Sequence, residues 1–240
     1  MRPRISPDFS AQFWIGHLVV PLLLFFGAAT LFEVSEFDLV FSDYFFDFSS
    51  MQWRYGQSWW ANDLIHEAGR DLILYLGLAG VAVCLLSFRL VRLRPWRRAA
   101  LFFCLCIALG TGIVALGKQI INRHCPWDYE RYGGSVPYTR LFEAPPACGG
   151  EVGNCFPAGH ASGGFAMMGV YFILVGRNRR LAMAALLLGI GLGTVFGFGQ
   201  LVRGAHFFSH NLWTAVICWF SSLLLYVFVF GGRVWPPASR

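Results

Sequence analysis

Apolar residues run through this chain in long unbroken stretches. They show neither the alternation of a half-buried strand nor the 3.6-residue stripe of a helix lying on a watery surface. A membrane-crossing helix needs roughly 20 largely apolar residues. Six uncharged stretches meet or approach that length, at residues 13–32, 72–88, 99–117, 159–176, 181–202 and 212–232. The pattern predicts an all-α polytopic membrane protein, a single domain over residues 1–240 with six transmembrane helices in a bundle. The first stretch is expected to remain as a helix, because residues 33–38 after it lack the small-residue pattern of a signal-peptide cleavage site.

The connections alternate in charge. Arg2, Arg4, Arg89, Arg92, Arg94, Arg97, Arg98, Arg177, Arg179, Arg180, Arg233 and Arg240 fall in one set, and every acid except Asp8 falls in the other. Cytoplasmic loops are enriched in Lys and Arg, so both termini are expected inside a bacterial inner membrane. The connections at 33–71 and 118–157 then face outward. The first is acidic and aromatic, suited to the headgroup level, where Trp and Tyr concentrate. The second carries RYGGSVPY and APPACGG, whose glycines and prolines mark irregular backbone. Helix and coil with little strand are expected in both.

Composition sharpens this picture. At 56% hydrophobic and 13% charged, the chain lies far from the roughly 25% charged of soluble domains. The net charge of +6 follows from the inside-positive connections and gives no support for nucleic-acid binding. Membrane lipids are the expected partners, since arginines beside spans favour anionic headgroups.

Three polar islands break the apolar pattern, each at the outward end of a stretch: KQIINRHCP (118–126), FPAGH (156–160) and RGAHFFSHN (203–211). Together they bring Lys118, Arg123 and Arg203, backbone N–H groups at Ala158 and Gly159, and His160, His206 and His210 toward one face. Guanidinium, ammonium and helix N-terminal N–H groups bind phosphate oxygens, and imidazole acts as nucleophile or proton donor near neutral pH. Lys118 is the only lysine in the chain. No carboxylate cluster suited to Mg²⁺ or Mn²⁺ accompanies these groups, so no metal and no cofactor are expected.

Other polar residues have plainer readings. His17 is expected to cap a helix or sit at the interface. His66 and Arg70, four apart, either line the site or pair with Glu67 or Asp71. Cys84, Cys104, Cys106 and Cys218 lie in spans as small hydrophobes. Cys125, Cys148 and Cys155 lie in the outward loop, where disulfides persist. Cys148 and Cys155 enclose only GGEVGN and are the expected bridge. A zinc set of these three with His124 lacks a CxxC pair.

At the islands the chain resembles the type 2 phosphatidic acid phosphatase and haloperoxidase-like superfamily, whose pattern runs KxxxxxxRP, PSGH and SRxxxxxHxxxD. Lys118 and Pro126 match the first motif, Pro157, Gly159 and His160 the second, and His206 the third. Cys125 replaces the first arginine, with Arg123 two residues earlier. Ala158 replaces the serine. Gly199 and Gln200 replace SR, with Arg203 three residues on, and His210 replaces the aspartate, followed by Asn211. The resemblance implies a lipid phosphatase acting at the outer leaflet on a lipid phosphomonoester or diphosphate. In it His206 would carry a phosphohistidine, His160 would protonate the leaving alkoxide, and Lys118, Arg123 and Arg203 with the N–H groups of Ala158 and Gly159 would bind phosphate. His210 or Asn211 would orient His206. A lipid phosphotransferase of the same family, a transporter and a catalytically silent scaffold are the alternatives.

Overall fold

The computed structural model describes residues 9–144 and 152–234. Arg2, Arg4, Asp8, Cys148 and Arg240 lie outside the described residues. The order is helix α1 (Ala11–Val34), helix α2 (Phe37–Phe45) and a short hairpin of β1 (Phe46–Asp47) and β2 (Gln52–Trp53), with Phe46 opposite Trp53. Helices α3 (Trp60–Leu86), α4 (Arg97–Ile120), α5 (Gly159–Ala166), α6 (Gly169–Leu174), α7 (Arg179–Leu201) and α8 (Phe208–Val229) follow. The protein is mostly helical, and the hairpin is the one sheet among the described residues.

Among the described residues, five helices are long and apolar enough to cross a membrane: α1, α3, α4 with its leading turn, α7 and α8. The expected sixth, at 159–176, is broken between α5 and α6 at Met167 and Met168. The run from Gly159 to Leu174 rises about 24 Å at 1.5 Å per residue, short of the roughly 30 Å hydrocarbon core. It is the buried centre of the bundle, with Ala161 through Ala166 all enclosed. Glycine makes the fit: a Cβ on Gly164 would lie 2.5 Å from the backbone nitrogen of Gly193 on α7, so the two backbones touch, as small residues allow in membrane helix pairs.

Helix α4 presents Phe102, Cys106, Gly110 and Val114 as a buried stripe at four-residue spacing. Helix α3 starts at Trp60 and not near residue 72, because its first turns (Trp60–Ala68, wound as a π-helix) contain Asn62, Asp63, His66 and Glu67, which a hydropathy criterion discards. In α1, Pro21 lacks the N–H that would reach back one turn. The His17 carbonyl in that turn accepts the Trp219 indole N–H at 2.9 Å. His17 is therefore no cap: its Nδ1 bonds the Phe13 carbonyl and its Nε2 the Tyr171 hydroxyl, both at 2.7 Å, tying α1 to α6 and α8.

At one end of the bundle the 33–59 connection and the described residues 121–144 and 152–158 fold together. Leu39, Phe46, Tyr129, Tyr132, Val136 and Phe207 form an aromatic cap. Arg131 pairs with Asp43 at 2.5 Å, and Tyr132 donates to the same carboxylate at 2.9 Å.

Candidate phosphate site

Beneath this cap the three polar islands meet. Lys118 closes the last turn of α4, and its Nζ donates to the Asn154 carbonyl at 3.4 Å. Its ammonium also lies over Gly159, where an added Cβ would come within 3.1 Å of the Lys118 Cε. Ala158 caps α5 in extended conformation, and its carbonyl accepts the Thr214 hydroxyl at 3.2 Å. Gly159 and His160 therefore open the helix under the lysine. The His160 ring is held between His66 and Phe196, with centroids 4.7 and 4.8 Å away. Its Nε2 donates to the Ile65 carbonyl at 3.0 Å, which leaves Nδ1 free to take a proton. His66 thus lines the site, whereas Arg70 is exposed and pairs with Asp71 at 3.1 Å.

His206 sits in the turn between α7 and α8. Gly204, at φ +78°, bends the chain there, and a Cβ at that position would strike the Trp53 ring at 2.1 Å. His206 is buried, and its Nδ1 lies 3.4 Å from His210 Nδ1 and 3.4 Å from Cys155 Sγ. Burial holds the His206 imidazole well below its ordinary pKa, with His210, Lys118 and His160 adding to the effect and a ring hydrogen bond to the Cys155 backbone opposing it. It is neutral at pH 7, as a nitrogen nucleophile must be.

His210 meets His206 although the segment is not one helix, since Phe207 is extended and α8 starts at Phe208. Asn211 does not. Its Nδ2 donates to the Phe207 carbonyl at 3.4 Å, and its Oδ1 packs over Gly197 on α7.

The cations divide. Arg203 reaches Gln200 Oε1 at 3.5 Å through Nη1, while its Nε is buried without a partner. Arg123 lies near His210 but spends most of its donors on the Leu141 and Glu143 carbonyls, so it ties down the loop, and only Nη1 stays without a partner. Among the described residues, no carboxylate lies within ion-pair distance of Lys118, Arg123 or Arg203. Partly buried cations without counter-ions mark a site shaped for an anion.

The expected Cys148–Cys155 bridge is overturned: Cys155 is bonded to Cys125. The ends of the outward loop run side by side, with Arg123 bridged to Asn154 and the Cys155 N–H donating to the Arg123 carbonyl at 2.9 Å, so Cys125 and Cys155 face each other. Each cysteine abuts a motif, Cys125 before Pro126 and Cys155 just before FPAGH. Convergence of the motifs was thus the available signal. His124 is not part of the cluster at Cys155, and its Nδ1 lies 3.8 Å from Asp128.

Asp38 escaped the sequence reading. From α2 its carboxylate accepts the Ser209 N–H at 2.9 Å and the Ser209 hydroxyl at 2.5 Å. It caps α8 one residue before His210, and nothing local separates it from the other acids of its loop.

A family model of the PAP2 superfamily matches residues 99–233, the stretch from α4 through α8 that carries Lys118, His160 and His206. The lipid A 4'-phosphatase of Francisella tularensis subsp. novicida (strain U112) is 24% identical over 221 residues, covering 89% of this chain and 96% of that protein. No solved structure matches the chain.

Proposed function

This chain belongs to the PAP2 superfamily, and on that premise we propose that it is a membrane lipid phosphatase that hydrolyses a lipid phosphomonoester through a phosphohistidine on His206. The observation that carries the reading is His206, buried and neutral, with His210 at its Nδ1, Lys118 close by and Arg203 near His160, neither cation ion-paired among the described residues. With the Nδ1 proton donated to His210, Nε2 keeps its lone pair for phosphorus. The P–N bond forms as the P–O bond to the lipid breaks. His160, protonated on Nδ1 when the phosphate dianion enters, delivers that proton to the leaving alkoxide. It then takes a proton from water as the water cleaves the P–N bond. The transition state spreads charge over the equatorial oxygens, where Lys118, Arg203 and the N–H groups that open α5 stabilise it.

The 4'-phosphate of lipid A is the first substrate to test, since the relative's name gives that activity and the match spans most of both chains. The arginine asymmetry supports a capped end at the outer leaflet of the inner membrane with both termini cytoplasmic, the broken α5–α6 run returning the chain across inside the bundle along α7. The test is phosphate release in detergent from lipid A, phosphatidic acid, phosphatidylglycerophosphate and a polyprenyl diphosphate. Release from at least one of these, lost in His206→Ala, is expected. Release that persists in His206→Ala would contradict the mechanism, and no release from any would favour the silent scaffold.

A further inference from the structure

We propose that reduction of the Cys125–Cys155 disulfide turns Cys155, His206 and His210 into a site for a soft divalent cation such as Zn²⁺, which silences the nucleophile. Sγ of Cys155 and one ring nitrogen of each histidine lie within 4.8 Å of one another, and all three residues are buried. Two of the separations are 3.4 Å. With Zn–S near 2.3 Å and Zn–N near 2.0–2.1 Å, tetrahedral ligands stand about 3.3–3.6 Å apart, so the site needs little rearrangement. Three protein ligands leave the fourth position for water or a phosphate oxygen.

The disulfide is what keeps this site closed. A disulfide sulfur carries no charge, and two neutral imidazoles beside the Lys118 ammonium do not attract a dication. A thiolate changes the balance and is a strong ligand for zinc.

Access favours the same order of events. Cys125 is half-buried, whereas Cys155 is fully enclosed. A small dithiol therefore attacks the Cys125 sulfur and expels Cys155 as thiolate. The second thiol of the reductant then displaces Cys125 and closes the reductant's own disulfide. One S–S bond breaks and one forms, and two electrons and two protons pass to the protein. The freed Cys155 thiol would donate to the Ala205 carbonyl, 2.9 Å from its sulfur, and metal binding releases that proton to solvent.

Inhibition follows from the chemistry of the ring. A metal on Nδ1 of His206 leaves the single proton of the neutral imidazole on Nε2. The lone pair that would attack phosphorus is then gone. This consequence rests on the phosphohistidine reading, whereas metal binding does not.

Co²⁺ reports on the site without any turnover, through thiolate-to-cobalt charge-transfer absorption. Purified protein in detergent is reduced with a dithiol, desalted anaerobically and titrated with Co²⁺. One equivalent per chain should bind with that absorption after reduction and none before it. Cys125→Ser, which frees Cys155 permanently, should show the band without reductant. Cys155→Ser should never show it, and His210→Ala, which keeps the disulfide, should lose it after reduction. Zn²⁺ should cut phosphate release at least tenfold in reduced protein, leave oxidised protein unaffected, and be reversed by chelator. An equal band in Cys155→Ser, or none in reduced wild type and in monodisperse Cys125→Ser, would overturn the site. A full cobalt band with undiminished turnover under Zn²⁺ would overturn the silencing and leave the metal site standing, whereas turnover that persists in His206→Ala would overturn the phosphohistidine reading and leave the metal site standing.

Discussion

Arg203 stands beside the position where the resemblance expects an arginine. The resemblance expected an arginine at position 200, where Gln200 stands, and Arg203 lies three residues further along with Gln200 Oε1 against its Nη1. Arg203 lies just past the end of α7 at Leu201, so its nearness to Gln200 follows from the turn that ends the helix. The arginine at 125 has no such replacement. Arg123 spends its donors on loop carbonyls and a cysteine holds the position, which spacing along the chain does not reveal. Arg203→Ala is expected to reduce kcat by about 10²- to 10³-fold, the scale of one preorganised donor, with Gln200→Ala costing far less. Steady-state phosphate release checks the ranking, and the reverse order would remove Arg203 from the site. At the next pair, His210→Ala should cost about 10- to 100-fold, as for a group that orients a reactive imidazole. Asn211→Ala should leave kcat near wild type, because its amide faces Gly197; equal losses for the two would contradict the assignment of His210.

Helix α8 carries His210 only if its first turn is held, and α2 supplies the hold through Asp38. Burial pushes the Asp38 carboxyl up to about 6, against the bonds from Ser209 that pull it down. Between about pH 4, where an unfolded aspartate titrates, and about pH 6 the folded state binds more protons than the unfolded one. Stability should therefore be greatest below pH 4 as far as Asp38 is concerned, fall as pH rises to about 6, and level off, by a total on the order of 3 kcal/mol. Asp38→Asn should flatten that part of the melting-temperature profile in detergent. An unchanged slope would show that the carboxyl titrates normally. Such a cap between distant elements was invisible in sequence because it joins residues 171 positions apart. The long apolar helices were readable from composition alone. The ends of α3 and the break between α5 and α6 were not, since polar residues on one face of α3 mask its start and the central run, enclosed by its neighbours, crosses in two pieces.

For the whole molecule, the arginine asymmetry and the convergence of the three islands at one end support one orientation, with the aromatic cap and the phosphate site outside. Reporter fusions at Arg94 should read cytoplasmic and fusions at Gly134 external; the opposite pair would move the site to the inner leaflet. The general plan of a helical membrane bundle with a cationic, histidine-bearing face was legible because hydropathy and motif order survive divergence. The pairing of Cys125 with Cys155 was not, because it depends on how the ends of a long loop meet. The central claim is covalent attack by His206, and trapping the intermediate tests it most directly. The His160→Ala protein, mixed with an aryl phosphate whose leaving group needs no proton, should accumulate phosphate, because the group that activates water is missing. Quenched in base and mapped by mass spectrometry, that phosphate should be acid-labile and lie on the peptide containing His206, and it should be absent from the His160→Ala/His206→Ala protein. Turnover of the aryl phosphate without any label on His206, or a label that survives its replacement, would contradict the mechanism.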